Sequence, residues 1–304
     1  MSPRAVFLGM ATTDFIATVP HLPRADEVFE LVDFNIQGGG PAATAAVAFS
    51  RLGGSASFAG AVGSDSVSLS LAEELRGYGV DTSLLVHQPT GHAPRSVILV
   101  EAATGRRSIM YSRGTAPEPG LSAGLTAAIR SAAALHLEGF HIGTALEAAR
   151  LAREAGVTVS FDGGAGDPWP GVADLLPLVD LLVVARGFAE RETGRSDPVA
   201  AAARLAQPGT ARAVVITDGA KGAWYVSGAE AGFVPAFGIE AVDTTGAGDV
   251  FHGAFLHAHL AGQGVRDAVR FASATAALKC LKPGGRQGIP DLKAVEALLA
   301  ESPG

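Results

Sequence analysis

Cysteine is almost absent from this chain of 304 residues: Cys280 stands alone, so no intramolecular disulfide framework can hold the fold together. Basic charge is scarce too, with 23 Lys and Arg against 30 Asp and Glu and a net charge of -7. Polyanionic partners demand a basic surface, so this balance argues against a general nucleic-acid or acidic-membrane binder and leaves room only for a local basic pocket. Long apolar runs are missing. No stretch of about eighteen residues avoids Gly, Pro and charge, and the start, MSPRAVFLGM, enters a short strand-like run instead of a signal-peptide core. The expectation is a cytoplasmic protein without membrane contact. No internal repeat, low-complexity linker or domain boundary interrupts residues 1–304, which read as one unit.

What the chain does have is apolar bulk, 48% of its residues, enough for an extensive core. Runs suited to buried strands recur: AVFLG (5–9), ASFAGAV (56–62), ALHLEG (134–139), VTVSFD (157–162), LLVVA (181–185) and AVVIT (213–217). Between them lie the helical patterns AATAAVAFSRLGG, LSLAEELRGYG, TALEAARLAREAG and DPVAAAARLAQ, several closed by glycine. The C-terminal third adds helices over 245–261, 265–281 and 291–300. This alternation predicts an α/β fold, a mainly parallel sheet flanked by helices with ligands at the carboxyl ends of its strands. Two segments break the rhythm, 12–37 and 92–113. The second carries SVILVEA and RRSIMYS around the turn at Thr104-Gly105, and both segments read as antiparallel strands of a small accessory sheet.

The most informative stretch is VDTTGAGDVFHGAF (242–255). A helix N-terminus presents unpaired N–H groups and partial positive charge, and Gly246 and Gly248 remove the side chains that would hold a phosphate away. An acid in the first turn, Asp249, also suits an ordinary glycine-rich helix start, so this turn alone leaves both readings open. It is neither a Walker A loop, since no GK[ST] follows, nor a dinucleotide fingerprint, since GAGDVF lacks the third glycine. With a phosphoryl group over the turn, Asp249 can accept the proton of an attacking alcohol while the amides hold the charge on the transferred group. That is the chemistry of a small-molecule kinase.

VDTTGAGDVFHGAF closely resembles the C-terminal signature of the ribokinase (PfkB) family of carbohydrate kinases, and GGGPAATAAVAFSRLGG (38–54) resembles its N-terminal glycine-rich signature. The two stand in the family's order, so the resemblance spans nearly the whole chain. It implies a ribokinase-like, Rossmann-like sheet with a small β lid, ATP-dependent phosphorylation of a sugar hydroxymethyl group, Mg2+, the K+ that many members use, and a homodimer formed through the lid. It implies Asp249 as catalytic base, with Gly246, Ala247 and Gly248 as the anion hole. Asp14 in GMATTDF matches the acid that binds sugar hydroxyls, and Gly39, Gly40 and Thr44 belong to the sugar loop. Arg107 in TGRRSIMY matches a lid arginine facing the substrate or the transferred phosphate, and Asp26 an acid that reaches into a partner's site. For the nucleotide, Thr217 and the Gly219 to Gly222 stretch resemble a TxGxxG segment. Ala276, Ala277 and Cys280 would lie against adenine, and Gly285 would close the pocket. The carbonyls around Asp243 and Thr245 would hold the monovalent cation.

Three departures qualify the match. Pro41 and Thr44 stand where relatives carry asparagines. In VVARGFAERETG, Ala185 and Phe188 replace an NxxE pair that orders magnesium, leaving Asp162 as a substitute or an ordinary Asp-Gly turn. Within the family the resemblance runs to sulfofructose kinase and ketohexokinase-like members, but Val28, Met110 and Phe140 replace the Lys, Asn and Arg that would clamp a sulfonate. A neutral or differently substituted sugar, a ketose, is the expected substrate, with sulfofructose as the lesser alternative. A nucleoside kinase and a weakly catalytic sugar- or nucleotide-sensing protein are the alternative readings.

Overall fold

Among the described residues, 2–164, 170–206 and 211–302 of a computed structural model, thirteen strands form two sheets. In chain order they are β1 (Arg4–Leu8), β2 (Thr12–Val19), β3 (Asp33–Gly39), β4 (Ser55–Val62), β5 (Leu85–His87), β6 (Arg95–Glu101), β7 (Arg107–Ser112), β8 (Ala134–Leu137), β9 (Thr158–Asp162), β10 (Leu181–Ala185), β11 (Ala213–Thr217), β12 (Gly222–Ser227) and β13 (Glu230–Pro235). The large sheet runs β13-β12-β11-β10-β9-β8-β1-β4-β5. Its pairs are parallel from β5 to β11, and β12 and β13 add an antiparallel edge. All six predicted runs are strands of this sheet. The edge pair, β5 and the helices Ala123–Ser131 and Arg186–Thr193 were not anticipated. The end of SFDGGAG after Gly164, and Gln207 of DPVAAAARLAQ, lie outside the described residues.

The central strands read as unbroken apolar runs because each feeds two cores. Ala5 and Phe7 of β1, and Leu181 and Val183 of β10, face one cluster with Phe49, Phe58 and Phe255. Val6, Leu8, Leu182 and Val184 face the other, with Ile129, Phe161 and Phe188. Helices cover both faces, and no helix among the described residues is long and apolar enough to cross a membrane.

The first core places the site. The helix Pro41–Arg51 begins with proline at its first turn and is lined by buried alanines, which let the helix Ala247–Leu260 approach closely. A Cβ at Gly253 would lie 2.2 Å from the carbonyl oxygen of Ala45, so the two backbones meet with no side chain between them.

The small sheet, β3-β2-β6-β7, corrects one expectation. Its outer pairs are antiparallel, but β2 and β6 run parallel, from Thr13 opposite Arg95 to Val19 opposite Glu101. Two antiparallel pairs thus stand side by side, and the lid is a mixed sheet. In this register Asp14, Ser96 and Tyr111 share one face, and Phe15, Val97 and Met110 the other.

Because a backbone carbonyl cannot yield as a flexible side chain can, Gly253→Ala is expected to lower stability by about 1–3 kcal/mol in urea denaturation. Gly77→Ala, at the end of the helix Ser66–Gly77 with open space around it, is expected to cost nothing. Equal stability of the two variants would show that the crossing tolerates a methyl group.

Candidate active site

Gly246 takes φ 72°, the left-handed region that glycine enters freely, and starts the helix Ala247–Leu260 without any side-chain cap. Ala247 turns its N–H back to the Thr244 carbonyl at 3.2 Å, and the first intrahelical bond runs from Val250 to Gly246 at 2.9 Å. Among the described residues the amides of Gly246, Gly248 and Asp249 have no acceptor, which is the uncapped positive terminus an anion needs. From the lid, Arg107 Nη1 donates to Thr244 Oγ1 at 2.9 Å, bringing the guanidinium over the same loop.

Asp249 sits in the first turn, hemmed in by protein but still partly open to solvent. Burial pushes its pKa up to about 7, reinforced by the Asp162 and Asp14 carboxylates and opposed by His252 and Arg286. One turn along the helix, His252 Nε2 lies 3.1 Å from Asp162 Oδ1 at the end of β9. Burial works to raise Asp162 as well, but the charge and hydrogen bond of His252 outweigh it and hold that carboxyl below its usual range. The two acids are therefore driven apart: Asp162 keeps its charge and Asp249 gains proton affinity. Asp162 also accepts the Gly164 N–H at 2.7 Å, so the Asp-Gly turn seen in the sequence exists alongside this pairing.

On the opposite side, Asp14 of β2 is buried and accepts from Thr12 Oγ1 at 3.0 Å. Burial raises its pKa against the hydroxyls of Thr12 and Ser96. Gly39 makes room for this carboxylate, since a Cβ there would lie 2.1 Å from Asp14 Oδ2. Gly40, with φ 97°, would drive a Cβ to 2.2 Å from the Met10 carbonyl oxygen. Gln37, in register with Asp14, is buried, and its amide atoms have no partner among the described residues.

Several residues that shape this side were not anticipated. Arg286 is fully buried, donating from Nη2 to the Gly39 carbonyl at 2.6 Å, from Nε to Thr44 Oγ1 at 3.2 Å and from Nη1 to Glu74 Oε1 at 3.3 Å. Glu74 Oε2 accepts the Gly38 N–H at 2.6 Å, so the glycine turn is gripped from both of its polar edges. The Thr44 hydroxyl, expected at the sugar, is engaged by Arg286. Glu138, at the end of β8, accepts from the Met10 and Ala42 amides at 2.5 and 3.0 Å and so caps the helix Pro41–Arg51. Burial, opposed by those amides, pushes its pKa up to about 8. An arginine in GGRQG and a glutamate closing an apolar strand were the available signals.

On the remaining side, Thr217 ends β11 and Gly219 and Gly222 bracket a tight turn, in which a Cβ at Gly222 would lie 2.2 Å from the Val234 carbonyl oxygen. Ala276 and Ala277 lie near the end of the helix Val265–Lys279, and Cys280 follows it. Ala277 and Cys280 are buried, while Ala276 is half-buried and packs on the core. Gly285 abuts Gly246, where a Cβ would meet its carbonyl oxygen at 2.9 Å. Asp243 accepts the amides of Thr245 and Gly284, both at 2.8 Å, and its own backbone carbonyl accepts Lys279 Nζ at 2.9 Å.

Other expected residues do not converge within one chain. Asp26 occupies an exposed turn with φ 61° and makes no side-chain hydrogen bond or ion pair among the described residues. Val28 is 96% exposed and Met110 lies on the lid face opposite Asp14, so neither lines the Asp14 side of the site within one chain. In the stretch lacking NxxE, Phe188 is core, and Arg186 pairs with Glu190 at 2.8 Å and Asp218 at 3.0 Å.

Residues 2–292 match the family model described as pfkB family carbohydrate kinase. The chain is 31% identical over 304 residues to an ATP-dependent ribose-1-phosphate kinase of Halopiger xanaduensis, covering 98% of both chains. It is 30% identical over 320 residues to fructokinase-1 of Oryza sativa, covering 95% of both. Its fold superposes on an Arabidopsis thaliana ribokinase complexed with ribose and ATP with a TM-score of 0.88 and 27% identity, over 99% of this chain and 100% of that one.

The raised pKa of Asp249 carries a stability consequence. The folded chain binds this proton more tightly than the unfolded chain, so the contribution favours folding below the ordinary carboxylate pKa of about 4 and is lost as pH rises towards about 7. Asp249→Asn mimics the protonated acid and lacks this loss. Its melting temperature is expected to exceed that of the wild type by a margin that grows from about pH 4 to pH 7 and then levels off. A margin independent of pH would contradict the elevated pKa.

Proposed function

Because the chain belongs to the pfkB family of carbohydrate kinases, we propose that it transfers the γ-phosphoryl group of ATP to a primary hydroxyl of a ketose, with Asp249 as general base. The observation that carries this reading is a carboxylate with a pKa of about 7 in the first turn of an uncapped helix. A base is most effective when its pKa lies near the working pH. Asp249 takes the proton of the acceptor hydroxyl as that oxygen attacks. The amides of Gly246, Ala247 and Gly248 receive the charge of the transferred group, with Ala247 released from Thr244, and Arg107 adds its charge from the lid.

Asp14, Gly39 and Gly40 would seat the sugar, with the Gln37 amide beside them. Thr217, Gly219, Gly222, Ala276, Ala277, Cys280 and Gly285 would border the nucleotide. Magnesium, entering with ATP, supplies charge neutralisation at the phosphates. No cluster of three His, Cys, Asp or Glu among the described residues is suited to hold a metal, so the ATP phosphates and water would provide most of the magnesium ligands. Similarity to a fructokinase supports the ketose, and ribose is the competitor it must beat. The same reading makes the chain a homodimer through the lid, where Phe34, Ile36, Val97 and Met110 leave an apolar face exposed.

An ADP-release screen with Mg2+ against ketoses, ribose and other aldoses, nucleosides, sugar acids and sulfosugars tests the assignment. A ketose is expected to give the highest kcat/KM, with kcat rising with pH through about 7. Asp249→Ala is expected to lower kcat by about two to four orders of magnitude. Wild-type turnover in that variant would remove Asp249 from its role, and preference for ribose would overturn the ketose.

A further inference from the structure

Lys279 is the last residue of the helix Val265–Lys279, yet it has no exposed surface. Lysine is almost never fully buried without a strong partner, because its ammonium loses hydration it must recover inside the protein. Here the partner is a backbone carbonyl: Nζ donates to the oxygen of Asp243 at 2.9 Å. Asp243 is the hinge of the surrounding loops. Its carboxylate holds the amides of Thr245 and Gly284, and its N–H, like that of Val242, donates to the Cys280 carbonyl. The ammonium is therefore fixed beneath the segment that leads into Gly246, and against the segment that continues to Gly285. Burial works to lower the lysine's pKa, opposed by the Asp243 and Asp249 carboxyls; Cys280 beside it is a thiol whose pKa burial pushes up, and Arg107 faces it from the lid as a second cation.

A backbone carbonyl at a loop corner is what a dehydrated monovalent cation binds. At Asp243 that place is already filled by a charge of the same sign, and a K+ ion beside it would meet direct repulsion. Of the carbonyls around Asp243 and Thr245 expected from the family resemblance to hold K+, that of Asp243 does not fit the ion in this chain. We infer that Lys279 is a tethered monovalent cation, whose ammonium organises the Asp243 loop and places fixed positive charge under the phosphate cradle, making the cradle independent of added K+. The effect on nucleotide rests on the cradle being the phosphate site. The effect on the loop does not.

Melting temperature and ADP affinity by calorimetry, measured in choline chloride and in KCl at equal ionic strength, separate these parts. Wild type is expected to give the same values in both salts. In choline, Lys279→Ala and Lys279→Met are expected to melt lower and to bind ADP about tenfold more weakly, the size of a lost charged hydrogen bond. K+ is expected to restore part of both properties to Lys279→Ala, whose short side chain leaves space for the ion, and not to Lys279→Met, whose stem fills it. A wild-type melting temperature or ADP affinity that rises with K+ would overturn the inference, as would a Lys279→Ala variant indifferent to K+. If the variants do not fold, the K+ titration of wild type decides alone. Failure of wild type to bind ADP counts against the proposed nucleotide site, while the melting data still judge Lys279.

Discussion

A helix crossing with no side chain in it sets the geometry of the site. The Ala45 carbonyl fills the space a Cβ at Gly253 would need, so the helices Pro41–Arg51 and Ala247–Leu260 run backbone against backbone. Each begins at a glycine with positive φ, Gly40 at 97° and Gly246 at 72°. The first turn lies beside Asp14 and the second beside Asp249. Their separation is thus fixed by close packing in the core and not by the loops that carry them, which is the rigidity that two-substrate chemistry requires.

The same packing concentrates acids. Asp14, Glu138, Asp162 and Asp249 lie close enough to act on one another, in a chain with few basic residues to spare. The available counter-groups are distributed unevenly. His252 is committed to Asp162, Arg286 to Glu74 and the Gly39 carbonyl, and Lys279 to the Asp243 carbonyl. Among the described residues Asp249 has no direct hydrogen-bond or ion-pair partner, and burial among like charges raises its proton affinity. An ion pair at Asp249 would have steadied the fold but lowered that affinity.

What could be read from the sequence was local. The alternation of strands and helices, and the glycine turn opening an apolar helix, depend on residues within a few positions of each other, and both appear where expected. What escaped acts across long sequence distances. Glu138 reaches Met10 and Ala42, and Arg286 reaches Gly39, through contacts that no periodicity encodes. The parallel pairing of β2 with β6 escaped for the same reason: alternation shows that a strand has two faces, not which neighbour it takes. Val28 and Met110, grouped by resemblance, stand apart within one chain: Val28 lies in the exposed loop between β2 and β3, and Met110 on the lid face opposite Asp14.

The C-terminal loop joins the two sides of the cleft mechanically. Gly284 packs against the buried Gln37 amide, Gly285 against Gly246, and Arg286 holds Gly39 and Thr44. Three successive residues thus touch the turn beside Asp14 and the turn beside Asp249. Each of these contacts involves backbone or a fully buried side chain, so none can be relaxed by rotating a flexible tip. Any displacement of the segment 284–286 must either pull Arg286 from the glycine turn or carry that turn with it. The Glu74 carboxylate, gripping Gly38 from the other edge, favours the second outcome, because separating Arg286 from Glu74 would leave a buried guanidinium uncompensated.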